Sequence, residues 1–245
     1  MALLSAGITP TTAYTAAMAD SEAKDAAPLA VMLRVAGWRC VIVGGGAVAR
    51  RRGLALAAAG GQVHVVAPQI HPELRAAAAS CHQRGYRPGD LAGARLVVTA
   101  ADLPEVNAAA AREAADLGAL VNRADHASAG ELTFMGSFRR GPVTVGVDTG
   151  GSSAAAGRAI RDTLDAALDP AWPTLLDEAR PWRQRLRQTV DDPAERARRI
   201  ARLTDAAARR VLADHGVDAL RQHLSAVADG KPGPADDHRP PLDGG

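Results

Sequence analysis

The stretch that most constrains this chain runs from Cys40 to Arg52: Cys40-Val41-Ile42-Val43, then Gly44-Gly45-Gly46, then Ala47-Val48-Ala49-Arg50-Arg51-Arg52. The apolar, mostly β-branched residues predict a short buried strand. Three glycines end it, and Ala47 to Ala59 predicts a helix. Gly44, Gly46 and Ala49 fall on the spacing G-x-G-x-x-G/A. Gly44 permits a tight turn out of the strand, Gly46 lets the backbone approach a pyrophosphate, and Ala49 lets the helix lie close to the sheet. Unpaired N–H groups at the helix start, with the positive end of its dipole, then face the phosphates. Val63 to Ala67 predicts a second strand and completes a βαβ unit.

Such a unit often carries Asp or Glu after its second strand, to hold the ribose hydroxyls. Here that place reads Ala67-Pro68-Gln69. The ribose is therefore expected to be held by Gln69 or by backbone. No Arg ends the second strand to meet a 2′-phosphate. Arg50, Arg51 and Arg52 keep NADP open, and NAD is the cofactor expected.

The order of elements gives the fold class. Ile70 to Gln83 predicts a helix starting near His71-Pro72-Glu73. Leu96 to Ala100 predicts a third strand, Pro104 to Gly118 a helix, and Ala119 to Val121 a fourth strand. Leu132 to Phe138 and Val143 to Val147 predict a strand pair around Arg139 to Pro142. This alternation points to an α/β fold, a Rossmann-like, doubly wound and mostly parallel sheet. Ligands of such sheets bind beyond the carboxyl ends of the strands. Gly44–Gly46, Pro68–Gln69, Thr99–Asp102 and Asn122–Asp125 all fall at that edge.

After Gly150-Gly151 the chain turns all-α. Ser153 to Leu168 predicts a helix with Ser152 or Ser153 as N-cap, ended by Pro170 and Pro173. Leu175 to Val190 and Ala194 to His215 predict long helices, with Gly216 as C-cap and a last helix over Val217 to Ala228. Ile200, Leu203, Ala207, Val211 and Leu212 are spaced for one buried face. The expected organisation is a flexible tail (1–27), a nucleotide-binding domain (28–130), a strand pair with a helix (131–168), a helical domain (169–228) and a disordered tail (229–245).

Composition excludes several classes. A formal charge of +2 leaves no wholesale nucleic-acid footprint. No apolar run reaches the roughly 18 residues of a membrane span, and the first residues lack a secretory pattern. Cys40 and Cys81 have no metal-ligand spacing, so no bound metal is expected, and a reduced, cytoplasmic setting fits.

With this order in view, the chain resembles the precorrin-2 dehydrogenase family, the dehydrogenase/ferrochelatase part of siroheme synthases. The resemblance runs through Gly44-Gly45-Gly46-Ala47-Val48-Ala49-Arg50-Arg51-Arg52, Val65-Val66-Ala67-Pro68 and Ala100-Ala101-Asp102 with Asn107. It continues in Asn122-x-x-Asp125 and from Gly141-Pro142 to Arg158, around Gly150-Gly151-Ser152-Ser153. The family departs from this chain at Leu132 to Gly136, where it usually has Phe-x-x-Pro-Ala/Ser, at Ala154, where it has Pro, and at His126.

The resemblance implies NAD-dependent oxidation of precorrin-2 to sirohydrochlorin, with insertion of Fe²⁺ or Co²⁺ as a second activity, in a homodimer interlocked through the region after the nucleotide-binding domain. It implies Asp125 as the catalytic carboxylate, nucleotide contacts from Ala47, Val48, Pro68 and Gln69, and Thr149 near the tetrapyrrole. The methyltransferase that follows in bifunctional relatives is not expected in this chain, and precorrin-2 is expected to come from elsewhere.

A carboxylate at a strand end beside the cofactor suits proton acceptance, which favours Asp125 over Asp102. Asp102, Thr99 and Ala100 are expected to contact the cofactor with Gly44, Gly45 and Gly46. The substrate carries many carboxylates, so arginines are expected around it: Arg123, Arg139, Arg140, Arg158 and Arg161 are candidates. Asn122, Thr149, Gly150, Gly151 and Ser153 complete the expected substrate contacts. Two other readings are an NAD(H)-sensing regulatory module, which needs no general base, and a non-catalytic tetrapyrrole-binding paralogue.

Overall fold

The structure, a computed structural model, describes residues 28–126 and 129–231. The expected N-terminal tail and, apart from 229–231, the C-terminal tail lie outside the described residues. The chain divides into two compact units, Met1–Phe134 and Met135–Gly245.

The first unit alternates β1 (Arg39–Val43), α1 (Ala47–Ala58), β2 (Gln62–Val66), α2 (Pro72–Ala77), β3 (Ser80–His82), β4 (Leu96–Thr99), α3 (Pro104–Asp116) and β5 (Leu120–Arg123). The strands form one sheet in the order β3-β2-β1-β4-β5, every pair parallel. This is the doubly wound α/β sheet that the element order predicts. The strands read as apolar runs because both faces are covered. Ile42, Val65 and Val98 pack under Ala49 and Leu56 of α1 and Leu74 of α2. Val41, Val43, Val97 and Val121 pack on the other face with Ala110 and Ala114 of α3. Burying each Val, Leu or Ile side chain contributes about 1.5–3 kcal/mol.

Two expectations for this unit are corrected. The helix expected to reach Gln83 ends at Ala77, because Ser80–His82 leaves it to pair with His64–Val66 as the fifth strand. The strand expected from Leu132 starts only at Gly136. Leu132 and Phe134 pack instead on the α1 face of the sheet, where the Leu132 N–H bonds to the Val121 carbonyl at 3.0 Å.

The second unit holds the antiparallel pair β6 (Gly136–Arg140) and β7 (Val143–Val147), then α4 (Ala154–Ala167), α5 (Ala171–Thr189), α6 (Pro193–Arg202) and α7 (Ala206–Ala228). Ser153 caps α4, its Oγ accepting from the Ala156 N–H at 3.1 Å. Leu175, Leu186, Leu203, Val211, Leu220 and Leu224 form the core of the three last helices. α5 starts four residues before the expected Leu175, since Pro173 fits a first helical turn, where its missing N–H leaves nothing unpaired. The helix expected over 194–215 is two helices, because the Asp205 carboxylate caps a new start by accepting from the Ala208 N–H at 2.9 Å. Gly216, with φ 80°, interrupts α7 where a C-cap was expected.

Candidate functional site

The carboxyl ends of β1, β2, β4 and β5 stand side by side at one edge of the first sheet. A cleft of about 620 Å³ opens there. Gly44, Gly45 and Gly46 line it from β1, Pro68 and Gln69 from β2, and Ala100 and Asp102 from β4. Three of the four predicted segments therefore share one cavity.

The glycines do different work. Gly44 has φ 125°, and a Cβ on it would stand 2.1 Å from the Ala100 carbonyl oxygen. A Cβ on Gly45 would stand 1.9 Å from the Gln69 carbonyl oxygen. These two residues let the β1 turn press against the turns after β4 and β2. Gly46 is different: a Cβ there meets nothing within 4 Å, so its freedom serves whatever enters the cleft.

The start of α1 fits an anion. The first turn has no acidic residue and Gly46 supplies no side-chain cap. The first helical bond runs from the Arg50 N–H to the Gly46 carbonyl, at 2.9 Å, so the N–H groups of Ala47, Val48 and Ala49 have no helical acceptor. Ala47 and Val48 are exposed just beyond the cleft lining, where their backbone can reach a phosphate. With the open space at Gly46, this suits the diphosphate of a dinucleotide. Thr99 is fully buried beneath the cleft and does not line it.

Asp125 stands two residues past the end of β5, outside the cleft lining. Arg123 grips it with two bonds, Nη2 to Oδ2 at 2.8 Å and Nε to Oδ1 at 3.2 Å. That grip holds the carboxyl below the usual carboxylate range, helped by a backbone N–H and by the Asn107 side chain, against a smaller opposing effect of burial. Asn122 turns inward: it is 2% exposed, and its Nδ2 donates to the Leu132 carbonyl at 2.6 Å. It anchors the chain leaving the sheet.

The other expected substrate residues belong to the second unit. Arg140 pairs with Asp165 on α4 at 2.8 Å. Thr149 Oγ1 donates to the Ser153 carbonyl at 3.2 Å, and the Ser152 N–H closes the Gly150-Gly151 turn on the Thr149 carbonyl at 3.0 Å. Arg158 is exposed on α4. Sequence reasoning missed Tyr86, Leu103 and Val106, which also line the cleft. One signal was available, an apolar Leu103 at the N-cap of α3, where a polar residue is the rule.

Comparison with known proteins now bears on this geometry. A family model described as putative NAD(P)-binding matches residues 31–136. A siroheme synthase of Pseudomonas putida F1 is 33% identical over 204 residues, covering 81% of this chain and 44% of its own length. A siroheme synthase of Chromobacterium violaceum is 35% identical over 176 residues, covering 69% of this chain and 37% of its own. Over most of its length the chain is similar to siroheme synthases. It spans less than half the length of these siroheme synthases. The solved structure of the precorrin-2 dehydrogenase SirC shares the fold, with a TM-score of 0.67 at 21% identity over 82% of this chain and 99% of that one. The NAD(P)-binding match covers the whole five-stranded sheet and every residue lining the cleft.

Proposed function

We propose that the protein oxidises precorrin-2 to sirohydrochlorin with NAD⁺. The observation that carries this reading is the placing of a diphosphate-ready glycine turn and the Asp125 carboxylate at the same edge of one parallel sheet. Bound NAD⁺ supplies a two-electron acceptor. The protein's own task is to hold both molecules and to take the remaining proton.

Asp125 is the group for that proton. Its depressed pKa keeps it ionised at neutral pH, so it is ready to accept. Arg123 fixes its orientation. Because Arg123 is also a candidate partner for substrate carboxylates, any sharing of its guanidinium would raise the Asp125 pKa and make it a stronger base. Asn122 acts behind this pair by tying β5 to Leu132. Arg140, Thr149, Gly150, Gly151, Ser153 and Arg158 are the substrate contacts proposed from the second unit. Arginine pairs and backbone donors suit a polycarboxylate ring.

NAD rather than NADP follows from the second strand's end, where neither a free Arg nor a Lys lines the cleft. Arg50, the nearest candidate in sequence, is engaged by Glu73 at 2.9 Å. A homodimer formed through 131–168 belongs to the same proposal. It is supported by α4, which among its described residues buries none and exposes Ile160 and Leu164. The free thiols Cys40 and Cys81 support a cytoplasmic setting. Among the described residues no helix is long and apolar enough to cross a membrane.

The test is anaerobic turnover of precorrin-2, made in place, with NAD⁺ or NADP⁺ and purified protein, followed by the absorbance of NADH and sirohydrochlorin. Turnover preferring NAD⁺ supports the proposal. Folded protein that binds NAD⁺ yet turns over nothing contradicts it and favours the sensing module. Adding Fe²⁺ or Co²⁺ afterwards tests metal insertion.

A further inference from the structure

His64 stands in the middle of β2, a half-buried titratable side chain between Val63 and Val65. It pairs in register with Val41, and side chains alternate along a strand, so it shares the face covered by Leu91, Ala94 and α3. It does not line the cleft, and the reaction proposed above does not use it. His64 is tied to β3: its Nδ1 lies 2.7 Å from the Ser80 Oγ, directly across the strand pair. β3 is an edge strand of three residues. It leads within four residues to Gly85 and Tyr86, which line the cleft. The His64–Ser80 bond therefore stands at the root of one cleft wall.

The surroundings of His64 oppose a positive charge. Burial holds its imidazole below the usual histidine range, and Arg39 and then His82 lower it further. The register places both on the same face, Arg39 two residues before Val41 on β1 and His82 two residues after Ser80 on β3. Arg39 is held there by its Nε, which donates to the Ala92 carbonyl at 3.1 Å. The segment after β3 brings Arg84 and Asp90, bound to each other at 2.7 and 2.6 Å, and Asp90 interacts with His82. α3 brings Glu113, which accepts from the Tyr86 hydroxyl and from the N–H groups of Gly89 and Leu91. Among the described residues the charges that act on His64 are both cationic.

We propose that His64 is a proton-sensitive latch, which holds β3 and the Gly85–Tyr86 wall against the sheet when neutral and releases them when protonated, weakening cofactor binding. The proposal rests on the cofactor reading given above and adds regulation to it. A charged His64 needs water, and β3 is the element whose departure admits it. β2 is pinned to β1 over five residue pairs, whereas β3 is held to β2 over three. A folded histidine pKa below the unfolded one adds stability above the ordinary histidine range and loses it as pH falls through that range toward the folded value. Mild acid is therefore the releasing condition.

The test is hydrogen exchange of the full chain without nucleotide, read at about pH 7.5 and 5.5 and corrected for the intrinsic rate, with NAD⁺ calorimetry at both values. In the parent, residues 79–90 are expected to lose protection in acid roughly tenfold more than β1 and β4, and NAD⁺ affinity is expected to fall with it. His64→Gln carries no titrating group and is expected to abolish both changes. Arg39→Gln removes one repelling cation and is expected to shrink them. Ser80→Ala cuts the bond, so its β3 is expected to be open already at the higher pH. Thermal melts establish folding for each. A parent whose β3 protection does not change with pH would overturn the latch, and so would folded His64→Gln that keeps the parent's full change. Opening of β3 with NAD⁺ affinity unmoved would overturn its coupling to the cleft. Opening of β3 in a parent that binds no NAD⁺ at either pH would overturn the cofactor reading and leave His64 as the switch of β3.

Discussion

The Asn107 side chain grips the backbone of Ala101 from both sides: Oδ1 accepts its N–H at 2.9 Å and Nδ2 donates to its carbonyl at 2.9 Å. Ala101 lines the cleft, and Asn107 is only 1% exposed. The same side chain helps to lower the Asp125 pKa. One buried amide thus touches both halves of the candidate site. Asn107→Ala leaves two backbone groups without partners and is expected to cost about 2–4 kcal/mol. Denaturant unfolding measures that loss. NAD⁺ titration of the folded fraction should show weaker binding as the turn after β4 loosens.

The glycine turn separates a folding requirement from a binding requirement. Gly44→Ala meets the Ala100 carbonyl and needs a left-handed φ, so it is expected to prevent accumulation of folded protein. Gly46→Ala meets no atom and costs at most about 1 kcal/mol as a poorer N-cap. Its methyl group fills the space proposed for the diphosphate, so NAD⁺ affinity should fall about tenfold or more. Circular dichroism and calorimetry on the pair distinguish the two effects.

With Asp125 as the proposed proton acceptor, Arg123 is expected to set the acid side of the pH–rate profile. It is the foremost cause of the lowered Asp125 pKa. Arg123→Gln removes it, the carboxyl rises toward its ordinary value, and more of it is protonated in mild acid. The acid limb of kcat/KM against pH should therefore move to higher pH. A limb that stays in place would show that another group titrates there.

Asp90 links stability to pH. Its carboxyl lies below the usual range because of the Arg84 hydrogen bonds first, with the Arg87 N–H adding to them. A depressed folded pKa adds stability above the unfolded value and loses it as pH falls through the folded one. Asp90→Asn should lower Tm at about pH 7 and make little difference well below the carboxylate range. Melting curves across that interval check it.

Much of the first sheet is legible because its physics is local. Val41-Ile42-Val43 must be buried, and a helix must follow three glycines. β3 is not legible: Ser80-Cys81-His82 has no apolar alternation, and its pairing with β2 is made by backbone. The break before Asp205 hides for a related reason, since the apolar spacing from Ile200 to Val211 continues across it. Gly45 occupies a variable place in the motif, yet the Gln69 carbonyl allows it no side chain, a contact between distant residues that spacing cannot reveal. Tyr86 lies in an aperiodic loop, and only folding brings it to the cleft. The Arg123–Asp125 pair was within reach, because opposite charges two residues apart at a strand end can meet across the bend that follows.

The most direct test of the account is Asp125→Asn, compared with the parent for NAD⁺ binding and for anaerobic oxidation of precorrin-2. Asp125 lies outside the cleft lining, so NAD⁺ binding should survive, while turnover should fall roughly a hundredfold or more with the loss of the proton acceptor. Turnover retained in the folded variant would contradict the role given to Asp125. Loss of NAD⁺ binding together with turnover would contradict the separation of carboxylate and cleft.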